Sequence, residues 1–500
     1  MVHGGEDLPS RRRATEPSKT GDRLWAASDS VGGMSRPETL GELIASGWQS
    51  RTVAEEIRTN AAAKIAAGEP LFDAVLGYED TVLPQLENAL LAGHDVIFLG
   101  ERGQAKTRMI RSLTGLLDEW MPIVAGSEIN DDPLAPVSRY ARDLIAEFGD
   151  STRIEWVHRD DRYGEKLATP DTSIADLIGE VDPIKVAEGR YLSDELTLHY
   201  GLVPRTNRGI FAINELPDLA ERIQVGLLNV LEERDIQVRG YKIRLPLDVM
   251  LVASANPEDY TNRGRLITPL KDRFGSQIRT HYPLDVETEV AIVHQEATLP
   301  SVPGVTVHVP DAMTEIIATL SQLARESAHV NQRSGVSVRL SVSNEETMVA
   351  NAMRRALRAG ETEVVPRVCD LEALPASTSG KVEIESLEDG REGQIVDHLI
   401  RSAILMVFRE RVGPEVLLAV VEGFDGREPV ETGEDVPSIA YVGLCETMPA
   451  LASVVSGLVG ETSSPARVAS AVEFVLEGLH LSKRLNKEAM GGRAQYRARG

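Results

Sequence analysis

The chain has 500 residues, a length that suggests roughly two to four domains, and its 42% hydrophobic content supports a sizeable core. The net charge of −24 gives no general attraction to nucleic acid, and Cys369 and Cys445 lie too far apart in sequence for a metal-ligand cluster or a disulfide framework. No apolar run approaches the ~20 residues of a membrane span and the N-terminus lacks a signal-peptide core, so a cytoplasmic protein is predicted, with membranes and nucleic acid disfavoured as partners.

The N-terminal part of the chain changes character near residue 39. Residues 1–38 are rich in Gly, Ser, Pro and Arg with little apolar periodicity, which predicts a disordered tail. Helical periodicity then runs from Thr39 to Ala67, where Gly68-Glu69-Pro70 ends it. A second helix is predicted from Asp80 to Leu91.

A strand, a glycine-containing loop and a helix are predicted in succession at residues 96–113. Val96–Leu99 is a short apolar run, and a helical pattern follows Lys106 and Thr107 at Arg108–Leu113. Backbone N–H groups in such a loop can surround phosphate oxygens, while the lysine reaches the β- and γ-phosphates and the following hydroxyl binds Mg²⁺. The alternative is an ordinary turn with a solvated lysine. The loop residues are Gly100, Glu101, Arg102, Gly103, Gln104, Ala105, Lys106 and Thr107.

The loop departs from G-x-x-x-x-G-K-[ST] at one position. Ala105 stands where the last glycine is usual. Because a Cβ atom resists positive φ, the sequence predicts an ordinary, negative φ at residue 105.

Residues 136–170 are polar and irregular, with a short strand predicted at Arg153–Val157. The glycine-containing segments 177–183 and 188–190 indicate an insertion or a substrate-facing loop. No further regular element is predicted between residues 136 and 170.

Apolar runs with polar ends predict further buried strands. Gly209–Ile213 leads into Asn214-Glu215, and Val249–Ala255 leads into Asn256-Pro257. Open α/β sheets bind ligands at the carboxyl ends of their strands, so these polar residues are candidate site residues. A hairpin is predicted at 236–245, followed by a short helix at Leu270–Gly275 and a last strand near Gln277–Arg279.

From Glu287 onward the pattern is mainly helical. Residues 361–394 interrupt it with Pro, Gly, Ser and many acids, which predicts a loop-rich acidic insertion. Further helices are predicted at 394–412, 437–460 and 465–487, and a frayed end at 491–500.

The order of these segments resembles the AAA+ ATPases, in particular the MoxR-like and magnesium-chelatase small-subunit branch, over roughly residues 70–360. The segments that carry the resemblance are Gly100–Thr107, Asp182–Arg190, Gly209–Leu216, the 236–245 hairpin, Ala255–Glu258 and Leu270–Gly275. The resemblance implies an α/β P-loop core with a parallel sheet, a helical lid and a helical C-terminal region. The predicted boundaries are 1–38 for the tail, 39–285 for the core with its N-terminal helices, 286–412 for the lid with its insertion, and 413–500 for the C-terminal region.

Roles follow from the resemblance position by position. Lys106 and Thr107 match the Walker A pair, and Glu215 matches the Walker B glutamate that orients the attacking water. Asn256 matches sensor 1, which helps to place that water. Phosphoryl transfer depends on positioning and charge neutralisation, so these residue types suit it.

Two arginines complete the set implied by the resemblance. Arg273 matches the arginine finger, which reaches the γ-phosphate of the neighbouring subunit. Arg339 matches sensor 2 on the lid, and an exposed helix-start residue is the alternative interpretation. The competing arginines are Arg263, Arg265 and Arg279 for the finger and Arg333 for sensor 2.

The Walker B position carries one departure from the family. The family has Asp-Glu, whereas this chain has Asn214-Glu215. Asn is neutral, and Mg²⁺ prefers anionic oxygen ligands. Thr107 and Asn214 are therefore the predicted metal-contacting residues, with weakened Mg²⁺ binding and slowed hydrolysis.

The resemblance implies an ATPase that uses ATP and Mg²⁺ and works as a ring, most simply a hexamer, because an arginine acting between subunits requires a neighbour. The implied partner is a protein with a von Willebrand A (VWA) domain. Three alternatives stay open. They are a magnesium chelatase subunit that drives metal insertion, a nucleotide-binding scaffold with weak turnover, and a transcriptional activator ATPase, although the Gly-Ala-Phe-Thr-Gly-Ala loop of the activators is absent from the sequence.

Overall fold

A computed structural model describes residues 36–182, 184, 187, 195–232, 235–237, 244–256, 266–331, 335–383, 392–460, 463–490 and 492–499. Several predictions lie outside these residues. They concern most of the N-terminal tail, the centre of the 236–245 hairpin, Pro257, and the alternative arginines 263, 265 and 333.

The strands of the described residues are β1 (Val96–Leu99), β2 (Trp120–Val124), β3 (Ile154–His158), β4 (Tyr163–Leu167), β5 (Gly179–Val181), β6 (Leu198–Tyr200), β7 (Gly209–Asn214), β8 (Asp235–Gln237), β9 (Arg244–Pro246), β10 (Val249–Ala255), β11 (Ser276–Arg279), β12 (Thr306–Val307), β13 (Glu363–Val364), β14 (Val430–Gly433), β15 (Leu485–Met490) and β16 (Arg493–Ala498).

The α-helices of the described residues are α1 (Leu40–Ala45), α2 (Val53–Ala67), α3 (Val82–Ala92), α4 (Lys106–Ser112), α5 (Arg139–Phe148), α6 (Ile174–Leu177), α7 (Leu202–Arg205), α8 (Glu221–Glu232), α9 (Thr268–Arg273), α10 (Val286–Glu296), α11 (Asp311–Glu326), α12 (Arg339–Ala359), α13 (Pro375–Thr378), α14 (Glu392–Arg411), α15 (Pro414–Glu422), α16 (Ser438–Thr447), α17 (Pro449–Val459) and α18 (Pro465–Leu481). None of these helices is both long and apolar enough to cross a membrane.

A parallel sheet with the strand order β11-β1-β10-β7-β4 forms the centre of the α/β core. Both faces of the sheet are covered, since Ile97 and Phe211 belong to one apolar cluster while Phe98 and Ala212 belong to the cluster on the opposite face. The continuous apolar runs of β1, β7 and β10 are explained by this two-sided burial. The prediction of an α/β core with a parallel sheet is confirmed.

Strand register brings the candidate polar residues to one edge of the sheet. Leu99 lies opposite Ala255, and Ala253 lies opposite Ile213. Asn214, the last residue of β7, therefore meets Gly100 and Asn256, which follow β1 and β10, at the carboxyl edge. Parallel pairing thus brings three segments that are distant in sequence together in a single site.

The prediction of irregular structure at residues 136–170 is wrong for two elements. Helix α5 and strand β4 both form there. β4 is the outermost strand of the central sheet and is only half-buried. It therefore lacks the apolar run that made the inner strands recognisable, and α5 is a polar helix with a single buried residue, Ala141.

The N-terminal helical pattern forms two helices instead of one. Thr39 caps α1 and Thr52 caps α2, where Thr52 and Glu55 form a capping box. Gly47 between them adopts a φ of 77°, a left-handed conformation that ends α1. The prediction of continuous helicity from Thr39 to Ala67 missed this turn.

The prediction of a loop-rich acidic insertion is wrong for residues 361–383. β13 pairs with β12, and α13 lies in this segment. Val364 and Leu371 are buried, and the carboxylate of Asp370 accepts hydrogen bonds from buried Arg355. The many acidic residues led to the prediction of a solvated loop. One of them, Asp370, is instead the buried partner of Arg355.

The C-terminal region is helical only in part. β14, β16 and β15 form an antiparallel sheet after and between its helices. The helix predicted at 465–487 ends at Leu481, and Arg493–Ala498 is a strand instead of a frayed end. Tyr496 in this strand is 3% exposed and donates a hydrogen bond to Glu477, so a contact distant in sequence orders the last residues.

Candidate nucleotide-binding site

Lys106 lies at the centre of the loop between β1 and α4. Its side chain is buried, and Nζ donates to the carbonyl oxygens of Gly100 (2.5 Å) and Glu101 (2.7 Å) and to Oδ1 of Asn256 (3.0 Å). A buried ammonium needs such partners because burying an unpaired charge is costly. The structure thus brings the predicted Walker A lysine and the predicted sensor 1 together.

The prediction of a negative φ at Ala105 is wrong. Ala105 has a φ of 53° and precedes the first residue of α4. An L-residue in this region costs about 1–2 kcal/mol, so the surrounding contacts must hold it there. The carbonyl of Ala105 accepts the backbone N–H of Met109, the first α-helical bond of α4.

Gln104 stabilises the loop through three hydrogen bonds. Its Oε1 accepts hydrogen bonds from the backbone N–H of Glu101 (3.0 Å) and from Thr280 Oγ1 (2.6 Å), and its carbonyl accepts the hydroxyl of Tyr78 (3.0 Å). Burial raises the pKa of Tyr78 to about 12, so the hydroxyl stays a donor at neutral pH. Sequence reasoning placed Gln104 in the loop but missed Tyr78 and Thr280, because no local signal joins them to it.

Glu215 and Asn256 meet at the ends of β7 and β10. Nδ2 of Asn256 donates to Oε2 of Glu215 at 3.0 Å. Glu215 has a left-handed backbone, with φ 55° and ψ 48°, which is a strained conformation typical of functional sites. Asn256 thus contacts Lys106 on one side and Glu215 on the other, so the lysine, amide and carboxylate form one chain of contacts.

Asn214 contacts a carboxylate that sequence reasoning missed. Its Nδ2 donates to Oε1 of Glu165 at 2.6 Å, and its Oδ1 accepts the hydroxyl of Ser254 at 3.2 Å. Arg111 on α4 binds the same carboxylate through Nε (2.8 Å) and Nη2 (3.1 Å). Burial raises the pKa of Glu165, but the hydrogen bonds and the positive charge of Arg111 lower it by more. The pKa of Glu165 therefore lies below its ordinary value.

The segment before α12 covers the loop. A Cβ atom on Gly103 would lie 1.8 Å from Oγ of Ser337, and one on Gly335 would lie 2.5 Å from a carboxylate oxygen of Glu101. Arg339 is exposed, and its backbone N–H donates to Oγ of Ser337. The predicted sensor 2 is therefore two residues from a contact with the phosphate loop.

Arg273 is the last residue of helix α9, and it follows the contact residues Lys106, Glu215 and Asn256 in the sequence. It is half-buried, and Nη1 donates to the carbonyl of Pro269 at 2.9 Å in the same helix. An arginine finger acts between subunits, which a single chain does not display. Its role stays a prediction, as does that of Arg339.

The oxygen donors at this edge suit Mg²⁺. Thr107 offers a hydroxyl, Asn214 an amide oxygen and Glu215 a carboxylate. Mg²⁺ usually takes one or two carboxylates together with waters and substrate phosphates. The donor set therefore fits a magnesium ion held jointly by the chain and a nucleotide.

The chain is similar in sequence to several known proteins. The Sigma-54 interaction domain family matches residues 188–273. The magnesium-chelatase 38 kDa subunit of Rhodobacter capsulatus is 30% identical over 240 residues, covering 45% of this chain and 60% of that protein. The chloroplastic magnesium-chelatase subunit ChlI-2 of Arabidopsis thaliana is 28% identical over 250 residues, covering 46% of this chain and 53% of that protein.

A solved structure is also similar. It is described as a complex between subunits BchI and BchD of magnesium chelatase, and it is 22% identical with a TM-score of 0.34, covering 65% of this chain and 98% of that chain. The chain spans less than two thirds of the length of the curated relatives, 60% of the first. The relatives and the matching domain family confirm the predicted resemblance: the chain is similar to magnesium-chelatase subunits over about half of its length.

Proposed function

We propose that the chain is a ring-forming ATPase that couples ATP binding and hydrolysis to the remodelling or activation of a partner protein. The observation that carries the proposal is the contact chain of Lys106, Asn256 and Glu215 at the carboxyl edge of a parallel sheet. The relationship to magnesium-chelatase subunits supports ATPase activity.

Each residue has a chemical task in this proposal. Lys106 neutralises charge on the β- and γ-phosphates, and Glu215 accepts a proton from, or orients, the attacking water. Asn256 holds the Glu215 carboxylate in place and contacts that water. Thr107 and Asn214, with the Glu215 carboxylate nearby, would hold Mg²⁺, which would supply charge neutralisation at the phosphates.

Assembly and partner rest on the family resemblance. Arg273 as a finger requires a neighbouring subunit, which favours a ring and most simply a hexamer. Arg339 on the lid senses the nucleotide within its own subunit. The proposed partner is a VWA-domain protein, the proposed location is the cytoplasm, and the proposed core, lid and C-terminal region keep the boundaries 39–285, 286–412 and 413–500.

A chelatase subunit is the second candidate function. It is favoured by the names of the relatives, which are magnesium-chelatase subunits. In that case the ATPase would drive Mg²⁺ insertion into a porphyrin together with other subunits. ATP hydrolysis that rises only when such subunits and a porphyrin are added would support it over the remodelling function.

The experiment that tests nucleotide binding replaces the buried lysine. Lys106→Ala should weaken ATP binding at least tenfold, or about 1.4 kcal/mol, because a cation is removed from the phosphates. Lys381→Ala removes the same charge from an exposed position and serves as the matched control. Isothermal titration with ATP measures both variants after circular dichroism has shown that they are folded. Unchanged affinity in Lys106→Ala would contradict the proposal.

A further inference from the structure

The neutral residue at the end of β7 raises the question of where the missing negative charge lies. A carboxylate is present within hydrogen-bond distance, since Nδ2 of Asn214 lies 2.6 Å from Oε1 of Glu165. Glu165 belongs to β4, the neighbouring strand. The amide and the carboxylate thus form a pair across two adjacent strands.

Register places this pair on the side of the sheet that faces helix α4. Glu165 lies opposite Ala212, and Ala212 and Asn214 are two residues apart on β7 and so share a face. Ala212 packs in the same cluster as Met109 of α4. The ion pair between Arg111 and Glu165 shows the same orientation.

The ion pair with Arg111 relates the carboxylate–amide pair to the predicted magnesium contact, Thr107. Thr107 and Arg111 are four residues apart on α4 and lie on one side of the helix. Four residues rise about 6 Å along a helix axis, which a glutamate side chain and an arginine side chain can bridge. Arg111, and the Glu165 carboxylate that it binds, therefore lie on the same side of α4 as Thr107.

Charge complementarity explains why position 214 is an amide. A carboxylate at residue 214 would meet that of Glu165 in the contact now made by Nδ2, and two carboxylates in contact cannot both stay ionised at low cost. Tyr163 and Arg111 already donate to Glu165. The amide of Asn214 completes the set of donors around a single carboxylate.

We propose that Glu165 and Asn214 act as one carboxylate–amide pair in which Glu165 carries the negative charge that the related proteins place at position 214, and that this pair supports Mg²⁺ at the nucleotide site. The inference rests on the proposed nucleotide-binding function. The neutral Asn214 by itself predicts weakened Mg²⁺ binding. The pair instead keeps a negative charge near the metal, because Glu165 on β4 carries it.

Four proteins test the pair. The side chains at 165 and 214 together carry −1 in the wild type, 0 in Glu165→Gln, −2 in Asn214→Asp, and −1 in the double variant Asn214→Asp/Glu165→Gln. The measured quantity is the Mg²⁺ concentration that half-maximally tightens binding of a fluorescent, non-hydrolysable ATP analogue. Thermal unfolding in EDTA is recorded for each protein.

If the two side chains act as one pair, Asn214→Asp should rescue the Mg²⁺ requirement of Glu165→Gln. Glu165→Gln should raise the half-maximal Mg²⁺ concentration at least tenfold, and the double variant should return to within threefold of the wild type. Asn214→Asp alone should unfold at a lower temperature in EDTA than the double variant, because two carboxylates face each other. Glu147→Gln removes an exposed carboxylate from α5 and should leave every value unchanged.

Opposite outcomes separate the two proposals. An unchanged Mg²⁺ requirement in Glu165→Gln, or a double variant no better than Glu165→Gln, overturns the inference and leaves Glu165 as a structural partner of Arg111. Nucleotide binding by Lys106 survives that result. A wild-type chain that binds no nucleotide overturns the proposed function and this inference with it.

Discussion

Ala105→Gly probes the left-handed backbone that the loop imposes on an alanine. At most positions this substitution destabilises a protein, because glycine gains conformational freedom in the unfolded chain. At Ala105, with its φ of 53°, it should not. The substitution also creates the glycine that G-x-x-x-x-G-K-[ST] contains.

The magnitude follows from three opposing effects. Relief of the left-handed conformation contributes about 1–2 kcal/mol in favour of the variant. The extra freedom of glycine in the unfolded chain costs about 0.4–1 kcal/mol. The half-buried methyl group, which packs against the core, contributes up to ~0.8 kcal/mol. Together these ranges place the variant between about 0.8 kcal/mol less stable and about 1.6 kcal/mol more stable than the wild type, with a midpoint of about 0.4 kcal/mol in its favour.

Ala63→Gly is the matched control, since Ala63 is exposed in the interior of α2. That substitution should cost about 1 kcal/mol. Urea unfolding followed by circular dichroism compares the two, using midpoints and slopes because a chain of this length need not unfold in one step. ATP affinity should persist in Ala105→Gly. A stability loss in Ala105→Gly equal to that in Ala63→Gly would refute a positive φ at residue 105.

Two further predictions concern the assembly and the pH dependence of stability. Arg273→Ala should slow ATP hydrolysis, and mixing it with Glu215→Gln subunits should restore part of the rate, because mixed rings contain sites with both groups intact; normal turnover of Arg273→Ala at every protein concentration would contradict this. Burial raises the pKa of Glu345 from 4.5 to about 7, so the folded chain holds a proton that the unfolded chain releases. The free energy of unfolding should therefore fall as the pH rises from about 4.5 to 7, by about 3 kcal/mol. Glu345→Gln should remove this dependence in denaturation at pH 5 and pH 8, whereas a wild-type slope in the variant would count against it.

Local patterns in the sequence were sufficient to predict the inner strands and the loop between β1 and α4. β1, β7 and β10 are buried on both faces, so continuous apolar runs marked them, and the polar residues at their ends marked the carboxyl edge. Lys106 and Thr107 were recognisable because the loop and the start of its helix are contiguous in the chain. Parallel pairing then required Asn214, Glu215 and Asn256 to share one edge.

The tertiary structure alone decided what surrounds these residues. β4 is an edge strand without an apolar run, so the position of Glu165 beside Asn214 depended on strand pairing that local periodicity does not encode. The left-handed backbone of Ala105 likewise arises from the folded loop and opposes the preference of alanine. β16 is ordered by pairing and by burial of Tyr496, although its sequence is polar. For Glu165 and β16 the deciding contacts join residues far apart in the chain, and their energy exists only after the fold has brought those residues together.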